Sequence, residues 1–505
     1  MVLFVSTKSN GQNITNTLGS LGTFSIKDAG TTYLSLSQSS GNITLNRGLI
    51  LPITYNSSTT GIIFKGTSRF IHDYCPNGAF GYNVFIGIDA GNFTMNGAST
   101  TSSFNTGVGS NTLTSLTTGF NNSAFGYMSL HDNTSGSNNS SFGHSALSNN
   151  TTGISNSAFG SESLFFTQTS SSLSAFGTQS LRSNTTGSQN SALGSQSLYN
   201  NTTGSSNCSF GFQSLFSNTF ASKVNAFGYQ SLMNSNGTNN NAFGYQSMYL
   251  NNSGVNNCAF GNLSLYNLSN GFYNVALGNN TLYANTTGNS NTALGEDAGS
   301  SVTTGSNLTL LGYNSEPLSA TSTNQVTLGN SFVTSLRCNV TSITSLSDAR
   351  DKKNIKELSL GLDFIAKLKP RQFNWDKREW YESNVSDGSK MLDAPTAGFI
   401  AQELDSLQQT ENAEWLNLVL KDNPEKLEAT TGNLLPIMVK AIQELKEKCD
   451  RLEKENSVLS TELSRFEVLR SEFEELKGLY YKISCKFIDR GEDIRLTEGN
   501  SEINR

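Results

Sequence analysis

The residues best suited to covalent chemistry gather in one short segment, SLSDARDKKNIKEL (345–358). A serine hydroxyl is a weak nucleophile until a base takes its proton, and lysine replaces histidine as that base in known Ser–Lys pairs. Lys352 follows Ser347 by five residues, and Arg350 and Lys353 add positive charge nearby. A lysine base needs a lowered pKa, which burial or neighbouring positive charge supplies. Spacing alone also fits a Ser-Asp pair that caps a turn or a helix.

Other kinds of site find little support in the sequence. The chain has three histidines (72, 131, 144), and its six cysteines form no CxxC pair (75, 208, 258, 338, 449, 485). We therefore predict no metal, no cofactor and no disulfide framework. Basic residues nowhere form the dense patch that nucleic acid requires, and no apolar run is long enough to cross a membrane as a helix. The first residues contain only a short apolar stretch, so we expect no classical signal peptide.

Charge is distributed unevenly along the 505 residues. Residues 1–344 hold 8 basic and 8 acidic residues, whereas residues 345–505 hold the other 56 charged residues and the whole net charge of -6. A single uniform domain does not produce such a division. The composition therefore predicts two regions built on different physical rules, with a boundary near residue 345.

A 17-residue repeat orders the neutral region, although its Asn, Ser, Thr and Gly content alone would suit a disordered tract. Thirteen glycines recur in phase, and every interval but one has the same length, the exception being one position shorter: Gly109, Gly126, Gly143, Gly160, Gly177, Gly194, Gly211, Gly228, Gly244, Gly261, Gly278, Gly295 and Gly312. Such regularity is the signature of a repeat architecture.

Two apolar positions keep the phase of these glycines. The residue before each glycine is Val, Phe or Leu, and the fourth residue after it is Leu or Met in eleven repeats, as with Phe125 and Leu130 around Gly126. Two such anchors make a core only if repeats stack. Gly, Asn, Ser and Thr disfavour helix and suit short strands with tight corners. We predict a mainly β region, a β-solenoid or β-roll with one coil per repeat, a core of these anchors and asparagine ladders at the turns.

The repeat unit NSAFGxxSL resembles the head repeats of trimeric autotransporter adhesins over about residues 85–315. Those heads are trimeric left-handed β-rolls, so the resemblance implies a trimeric shaft. The period here is longer than usual, and we see no adhesin membrane anchor downstream.

The charged region alternates helix and strand signals. GLDFIAKLKPRQFNWD (361–376) predicts a helix that ends before Pro370 and then a strand, and AGFIAQELDSL (397–407) predicts a strand and then a helix. LLPIMVKAIQELKEK (434–448) opens a long helix. The region is therefore predicted to be α+β, ending in a helix.

The long helix carries apolar residues spaced alternately by three and four, with one 3–3 break that is typical of a stammer: Ile442, Leu445, Cys449, Leu452, Leu459, Leu463, Phe466, Leu469, Phe473, Leu476, Tyr480 and Ile483. This spacing predicts a coiled coil in which Asn456 sets the register. A solvated monomeric helix is the alternative.

Several motifs in this region occur in one order: the lead-in VTLGNSFVTSLRCNVTSITSLSD, then SDARDK (347–352) and NI (354–355), then LKPRQFNW, GFIAQEL and LLPIMVKAIQEL. Over roughly residues 326–450 the chain resembles the endosialidase-type intramolecular chaperone domain, a self-cleaving peptidase family. The resemblance implies a domain that trimerises, templates the folding of a preceding β-rich fibre and often cuts itself off.

The same resemblance assigns roles to residues. Ser347 becomes the nucleophile and Lys352 the base, and the cut falls between Leu346 and Ser347. Three further side chains are candidates for orienting the site or stabilising the oxyanion: Asp348, Asn354 and Gln402. The activity expected is one autoproteolytic serine-endopeptidase cut, with no turnover.

These observations predict six segments: an N-terminal β region (attachment or cap) at 1–84, the β-repeat shaft at 85–316, a β connector at 317–344, the chaperone and peptidase domain at 345–448, a coiled coil at 449–485 and a polar tail at 486–505.

The leading functional hypothesis is a homotrimeric fibre on a virion, assembled in the host cytoplasm, whose shaft meets a host-surface receptor or glycan. It requires neither nucleic acid nor membrane insertion. The second is a cellular surface adhesin with an uncleaved chaperone. The third, a glycan-degrading tailspike, needs paired carboxylates, and the shaft offers few: Asp132, Glu162, Glu296, Asp297 and Glu316.

Overall fold

The computed structural model describes residues 23–27, 32–37, 43–45, 49–54, 60–337, 339 and 347–488. The chain divides into two compact units, Met1–Val333 and Thr334–Arg505. The described part of the first unit is built of strands and turns, and that of the second unit of helices and short strands.

The first unit begins with antiparallel strands. Strands β1 (Thr23–Lys27), β2 (Thr32–Ser37) and β3 (Ile43–Leu45) form one small sheet. Strands β4 (Ile63–Lys65) and β5 (Ser68–His72) form a hairpin, and β5 pairs antiparallel with β6, the first strand of the repeat region. The hairpin therefore covers one end of the ladder that follows.

A parallel ladder follows, in which each described strand pairs with the next: β6 (Val84–Ile86), β7 (Thr106–Val108), β8 (Ser123–Phe125), β9 (Ser140–Phe142), β10 (Ser157–Phe159), β11 (Ser174–Phe176), β12 (Ser191–Leu193), β13 (Cys208–Phe210), β14 (Asn225–Phe227), β15 (Asn241–Phe243), β16 (Cys258–Phe260), β17 (Val275–Leu277), β18 (Thr292–Leu294), β19 (Ser306–Leu311) and β20 (Thr323–Leu328). The N-terminal region is thus a β-solenoid with one strand per coil, which confirms the predicted fold class.

The sequence pattern explains how each coil turns. The repeat glycine after the strand has a positive φ, as at Gly126 (127°) and Gly194 (136°), a region that only glycine adopts readily. The leucine four residues later is fully buried and itself left-handed, as at Leu130 (φ 49°). Burial of that leucine offsets the roughly 1–2 kcal/mol that a left-handed L-residue costs.

The prediction that both apolar anchors form the core was half wrong. The leucine anchor is buried, but the anchor before each glycine faces outward, and Phe176 is 39% exposed. Successive residues on a strand face opposite sides, and the central residue of each short strand, such as Ala175, fills the interior. The small central Ala or Ser was the signal that marked the buried position.

Asparagines pair between coils at exposed bends, as with Asn121 Nδ2 and Asn138 Oδ1 (3.2 Å), and also in the interior of the solenoid. The backbone N–H of Asn122 donates to Asn105 Oδ1 (3.1 Å), and Asn122 Nδ2 donates to the carbonyl of Gly136 (2.9 Å). Asn139 repeats both bonds one coil later, to Asn122 Oδ1 (3.1 Å) and Gly153 (2.9 Å). Because a buried amide is costly unless it is hydrogen-bonded, each coil depends on the coils on both sides.

The second unit contains small elements and one long helix: α1 (Leu362–Ile365), β21 (Arg371–Phe373), β22 (Thr396–Gly398), α2 (Ala401–Thr410), β23 (Val419–Leu420), β24 (Glu428–Ala429) and α3 (Leu435–Ile488). Strands β21 and β22 pair antiparallel, as do β23 and β24. Short 3-10 helices lie at Ala349–Asp351, Arg378–Trp380, Glu414–Leu416 and Thr431–Leu434. The α+β region with a long C-terminal helix is confirmed.

The core of this unit joins α1, α2 and the start of α3. Phe364, Leu404 and Ile437 are buried together. The Glu444 carboxylate accepts a hydrogen bond from the backbone N–H of Leu362 (2.7 Å), which caps α1 from α3. The first turns of α3 are therefore packed against α1 and α2.

A methyl group at a repeat glycine is expected to separate two coils. A Cβ on Gly194 would lie 2.4 Å from the Gly211 carbonyl oxygen, and its backbone is strained for an L-residue. Gly194→Ala should lower the free energy of unfolding by at least about 2 kcal/mol, read as a lower denaturant midpoint. Ser195→Ala is the control and should change it by less than about 0.5 kcal/mol. Equal midpoints for the two variants would contradict this packing.

Stability at the N-terminal end of the solenoid should fall with acid because of His72. Its ring is buried between Phe85 and Phe93, and Nε2 lies 2.7 Å from the Ala90 carbonyl oxygen. Burial lowers the pKa of His72 from 6.5 to about 4, and that hydrogen bond offsets the effect only in part.

Between pH 6.5 and 4 the unfolded chain therefore binds a proton that the folded chain excludes. We expect a loss of about 3 kcal/mol over this range, measured as the difference between the wild-type and His72→Gln stability curves against pH. Parallel curves for the two proteins would show that His72 does not control this response.

Candidate active site

A tight turn shapes the chain around the candidate nucleophile. The Asp348 carboxylate accepts a hydrogen bond from the backbone N–H of Arg350 (2.8 Å) and caps the 3-10 helix Ala349–Asp351. The cap that spacing offered as the alternative interpretation is thus present. It is compatible with a Ser–Lys pair, because the turn that it closes returns the chain toward Ser347.

The turn brings Ser347 and Lys352 together. Lys352 Nζ donates a hydrogen bond to Ser347 Oγ and lies 3.3 Å from the Ser347 backbone carbonyl oxygen. This is the contact that a lysine base needs with a serine nucleophile. Both side chains are exposed in the single chain.

Arg350 has a different role from that suggested by its place in the sequence. Its guanidinium binds the Asp348 carboxylate, with Nε–Oδ1 at 3.0 Å and Nη2–Oδ2 at 2.5 Å. This contact lowers the pKa of Asp348 and raises the pKa of Arg350. Arg350 therefore mainly stabilises the turn. The two-residue separation of Asp348 and Arg350 in the sequence was the signal that could have predicted their ion pair.

The two remaining predicted residues, Asn354 and Gln402, are both exposed. Asn354 is exposed in the left-handed conformation (φ 53°), which asparagine tolerates. Gln402 is exposed in the first turn of α2, on a groove that Lys367, Lys369 and Phe399 also line. Within the described part of the chain, no hydrogen bond joins Asn354 or Gln402 to Ser347 or Lys352. Leu346, on the other side of the predicted cut, lies outside the described residues.

Helix α3 presents an apolar stripe to solvent in the single chain. The coiled-coil positions from Ile442 to Ile483 are all exposed, including Phe466 at 71% and Leu476 at 69%. Long apolar stripes of this spacing normally pack against a second helix. The predicted coiled-coil positions thus lie on an uninterrupted helix with no partner within its own chain among the described residues.

Metal binding and membrane insertion find no support in the described ranges. They contain no group of three or more His, Cys, Asp or Glu side chains placed to hold a metal ion. Among the helices of those same ranges, none is both long and apolar enough to cross a membrane.

Two of the shaft carboxylates that a tailspike enzyme would require, Glu162 and Glu316, are engaged locally. Glu162 Oε2 accepts a hydrogen bond from Arg182 Nε at 2.8 Å, and the Arg182 contact is the main reason that the pKa of Glu162 is lowered. Glu316 accepts hydrogen bonds from the Ser300 and Ser301 hydroxyls at 2.8 and 2.7 Å. These contacts are those of structural side chains.

Comparison with known proteins identifies a family within the second unit. Residues 347–411 match the family model described as chaperone of endosialidase. No curated protein and no solved structure showed significant similarity to the chain.

The matched segment begins at Ser347 and contains the turn, Lys352, α1, β21, β22 and all of α2. It follows a solenoid of about thirteen turns, counted from the repeat glycines. Residues 347–411 are therefore similar to a chaperone of endosialidase domain that follows the β-solenoid in the sequence, and this match implies a fibre-like protein with a C-terminal chaperone.

Proposed function

We propose that the protein is a trimeric fibre whose chaperone domain trimerises the chain, assists folding of the solenoid and then cuts itself off between Leu346 and Ser347. The observation that carries the proposal is the contact between Lys352 Nζ and Ser347 Oγ at the first residue of the family match. A virion location and attachment of the shaft to a host receptor or glycan belong to the same proposal, and they rest on the resemblance to the endosialidase-type chaperone family.

The proposed cut proceeds in two steps. Ser347 Oγ attacks the carbonyl carbon of Leu346 while its proton passes to Lys352 Nζ. The new ester bond replaces the peptide bond, and the Ser347 amine leaves with the proton from Lys352. Water then hydrolyses the ester, which restores the serine hydroxyl and releases the carboxylate of Leu346.

Assembly is the proposed trigger for the reaction. A lysine acts as a base only in its neutral form, which burial or nearby positive charge favours. Both members of the pair are exposed in the single chain, and the charge of Arg350 is paired with Asp348. We therefore propose that a second copy covers the segment 347–353, so that cleavage waits for trimer formation.

The exposed stripe of α3 supports the trimer. A coiled coil would bury side chains such as Leu459 and Leu463, each of which stabilises by about 1.5–3 kcal/mol when fully covered. A helix anchored to the chaperone domain would hold three copies at one height before their solenoids fold. Parallel β pairing is slow to form. Alignment of the three chains before their solenoids fold would therefore raise the yield of correctly stacked coils.

Replacing either member of the pair should stop the cut. Wild-type protein is expected to give two fragments on denaturing gels, 1–346 and 347–505. Ser347→Ala and Lys352→Met should each leave one full-length band, because one lacks the nucleophile and the other lacks the base. Lys356→Met removes an exposed lysine outside the segment 347–353 and is the matched control, which should still cleave. If wild-type trimers remain intact, the peptidase proposal fails, and the uncleaved surface adhesin becomes the better interpretation.

A charge in the α3 stripe should prevent both assembly and cleavage. In the Ser347→Ala background the chain should sediment at three times its 54.4 kDa mass, and adding Leu459→Glu should reduce it to monomer. With Ser347 present, Leu459→Glu should also abolish the cut. Thr461→Glu, two residues away and off the stripe, is the control for both measurements. Cleavage of a monomeric Leu459→Glu chain would refute the coupling to assembly.

A further inference from the structure

The outer surface of the solenoid carries a continuous apolar row. It consists of the residues that precede the repeat glycines, and every member is Val, Phe or Leu: Val108, Phe125, Phe142, Phe159, Phe176, Leu193, Phe210, Phe227, Phe243, Phe260, Leu277, Leu294 and Leu311. We call this row the shaft stripe. Its members lie on the outward face of their strands, and Leu294 is 50% exposed.

The aromatic members of the shaft stripe stack on one another. Ring centroids from Phe125 to Phe176 are 4.6–4.7 Å apart, and those from Phe210 to Phe260 are 4.3–4.7 Å apart. Ring faces inside these stacks are covered by their neighbours, so the outward surface consists of ring edges. Sugars bind to aromatic side chains by stacking on ring faces, and few ring faces are accessible in the shaft stripe.

A second outward row lies beside the shaft stripe, three residues before each repeat glycine. It contains only small or medium neutral residues: Thr106, Ser123, Ser140, Ser157, Ser174, Ser191, Cys208, Asn225, Asn241, Cys258, Val275, Thr292 and Thr309. Neither row has a charged residue in thirteen coils, whereas other rows of the shaft include Glu162, Arg182 and Glu296. The two rows together form a flat neutral face.

The size of this face is close to the largest patch that a single protein usually exposes. Thirteen strands at about 4.8 Å make it roughly 60 Å long, and a width of about 10 Å gives roughly 600 Å². Only the shaft stripe is apolar in every coil, and the largest patches on a protein surface are often functional. A repeating surface matches another copy of itself in every coil, because both copies have the same spacing.

We propose that this neutral face is where copies of this chain pack against one another along the shaft, an inference that rests on the proposed trimer. An apolar shaft-stripe residue in each of the thirteen coils favours a second copy over a receptor, which would need only a few coils. The absence of charge from both rows lets identical surfaces approach without repulsion. Copies held at one height by α3 would meet coil against equivalent coil.

Native cysteines provide a probe of the contact. Cys208 and Cys258 belong to the second row and are partly exposed on β13 and β16. Packing in register would bring Cys208 of one copy close to Cys208 of the others. Thr203 is exposed and belongs to neither row, so it offers a control position one short turn away.

The test is cross-linking of the assembled full chain with a short bis-maleimide, read on denaturing gels. The test protein keeps Cys208 and Cys258 and carries Ser347→Ala, Cys338→Ser, Cys449→Ser and Cys485→Ser. The control protein adds Cys208→Ser, Cys258→Ser and Thr203→Cys. We expect covalent dimers and trimers from the test protein, and at least tenfold less product from the control.

A charge in the second row provides an independent arm. Ser174→Glu in the test protein should reduce cross-linking at least fivefold while circular dichroism stays unchanged, because three carboxylates would meet at one height. Three results obtained with a trimer would overturn the shaft contact: cross-linking of the control protein through position 203, undiminished cross-linking of the Ser174→Glu protein, or no cross-linking of the test protein. Each of these results would leave the proposed function standing. A monomer in sedimentation overturns both.

Discussion

The hydrogen bonds between successive coils are the constraint on which the rest of this structure depends. The backbone amide of Asn122 donates to the coil before it, and its side-chain amide donates to the coil after it. A single coil would leave these buried groups unsatisfied, which is unfavourable. Coils can therefore form only against coils already in place. The β4–β5 hairpin at one end and the chaperone domain encoded after the other are consistent with that requirement.

A fibre of this kind benefits from a temporary assembly domain. Its coils hold few charges, its outer rows are apolar or small, and its folding depends on contacts that repeat from each coil to the next. Partly stacked chains would expose unpaired strands. In the proposed mechanism the charged domain gathers the chains and is then removed by a reaction that needs no cofactor. The net charge of -6 would leave with it.

The sequence predicted the repeat, its phase, the α+β domain and the long helix, because periodicity and capping signals are local. It failed at the Phe row because apolar residues such as Phe176 were counted as core without regard to strand alternation. It also placed Arg350 as a positive neighbour of Lys352, whereas the guanidinium pairs with Asp348, which lies at the same separation on the other side. A pattern that treats residues one at a time includes neither strand alternation nor pairing between side chains, so it could not have prevented either error.

The Ser347–Lys352 pair illustrates a different limit. Its spacing in the sequence left both a cap and a Ser–Lys contact open, and the folded turn contains both. Burial of the lysine cannot be read from one chain when the covering surface belongs to another copy. The shape of the turn is thus local information, while its proposed reactivity depends on assembly.

Self-cleavage in the assembled trimer is tested by the mass and N-terminal sequence of the C-terminal fragment, taken from protein that has first been shown to be trimeric. We expect a fragment that begins at Ser347 and ends at Arg505. A fully assembled trimer that contains only intact chains, or a fragment that begins at any other residue, would contradict this expectation.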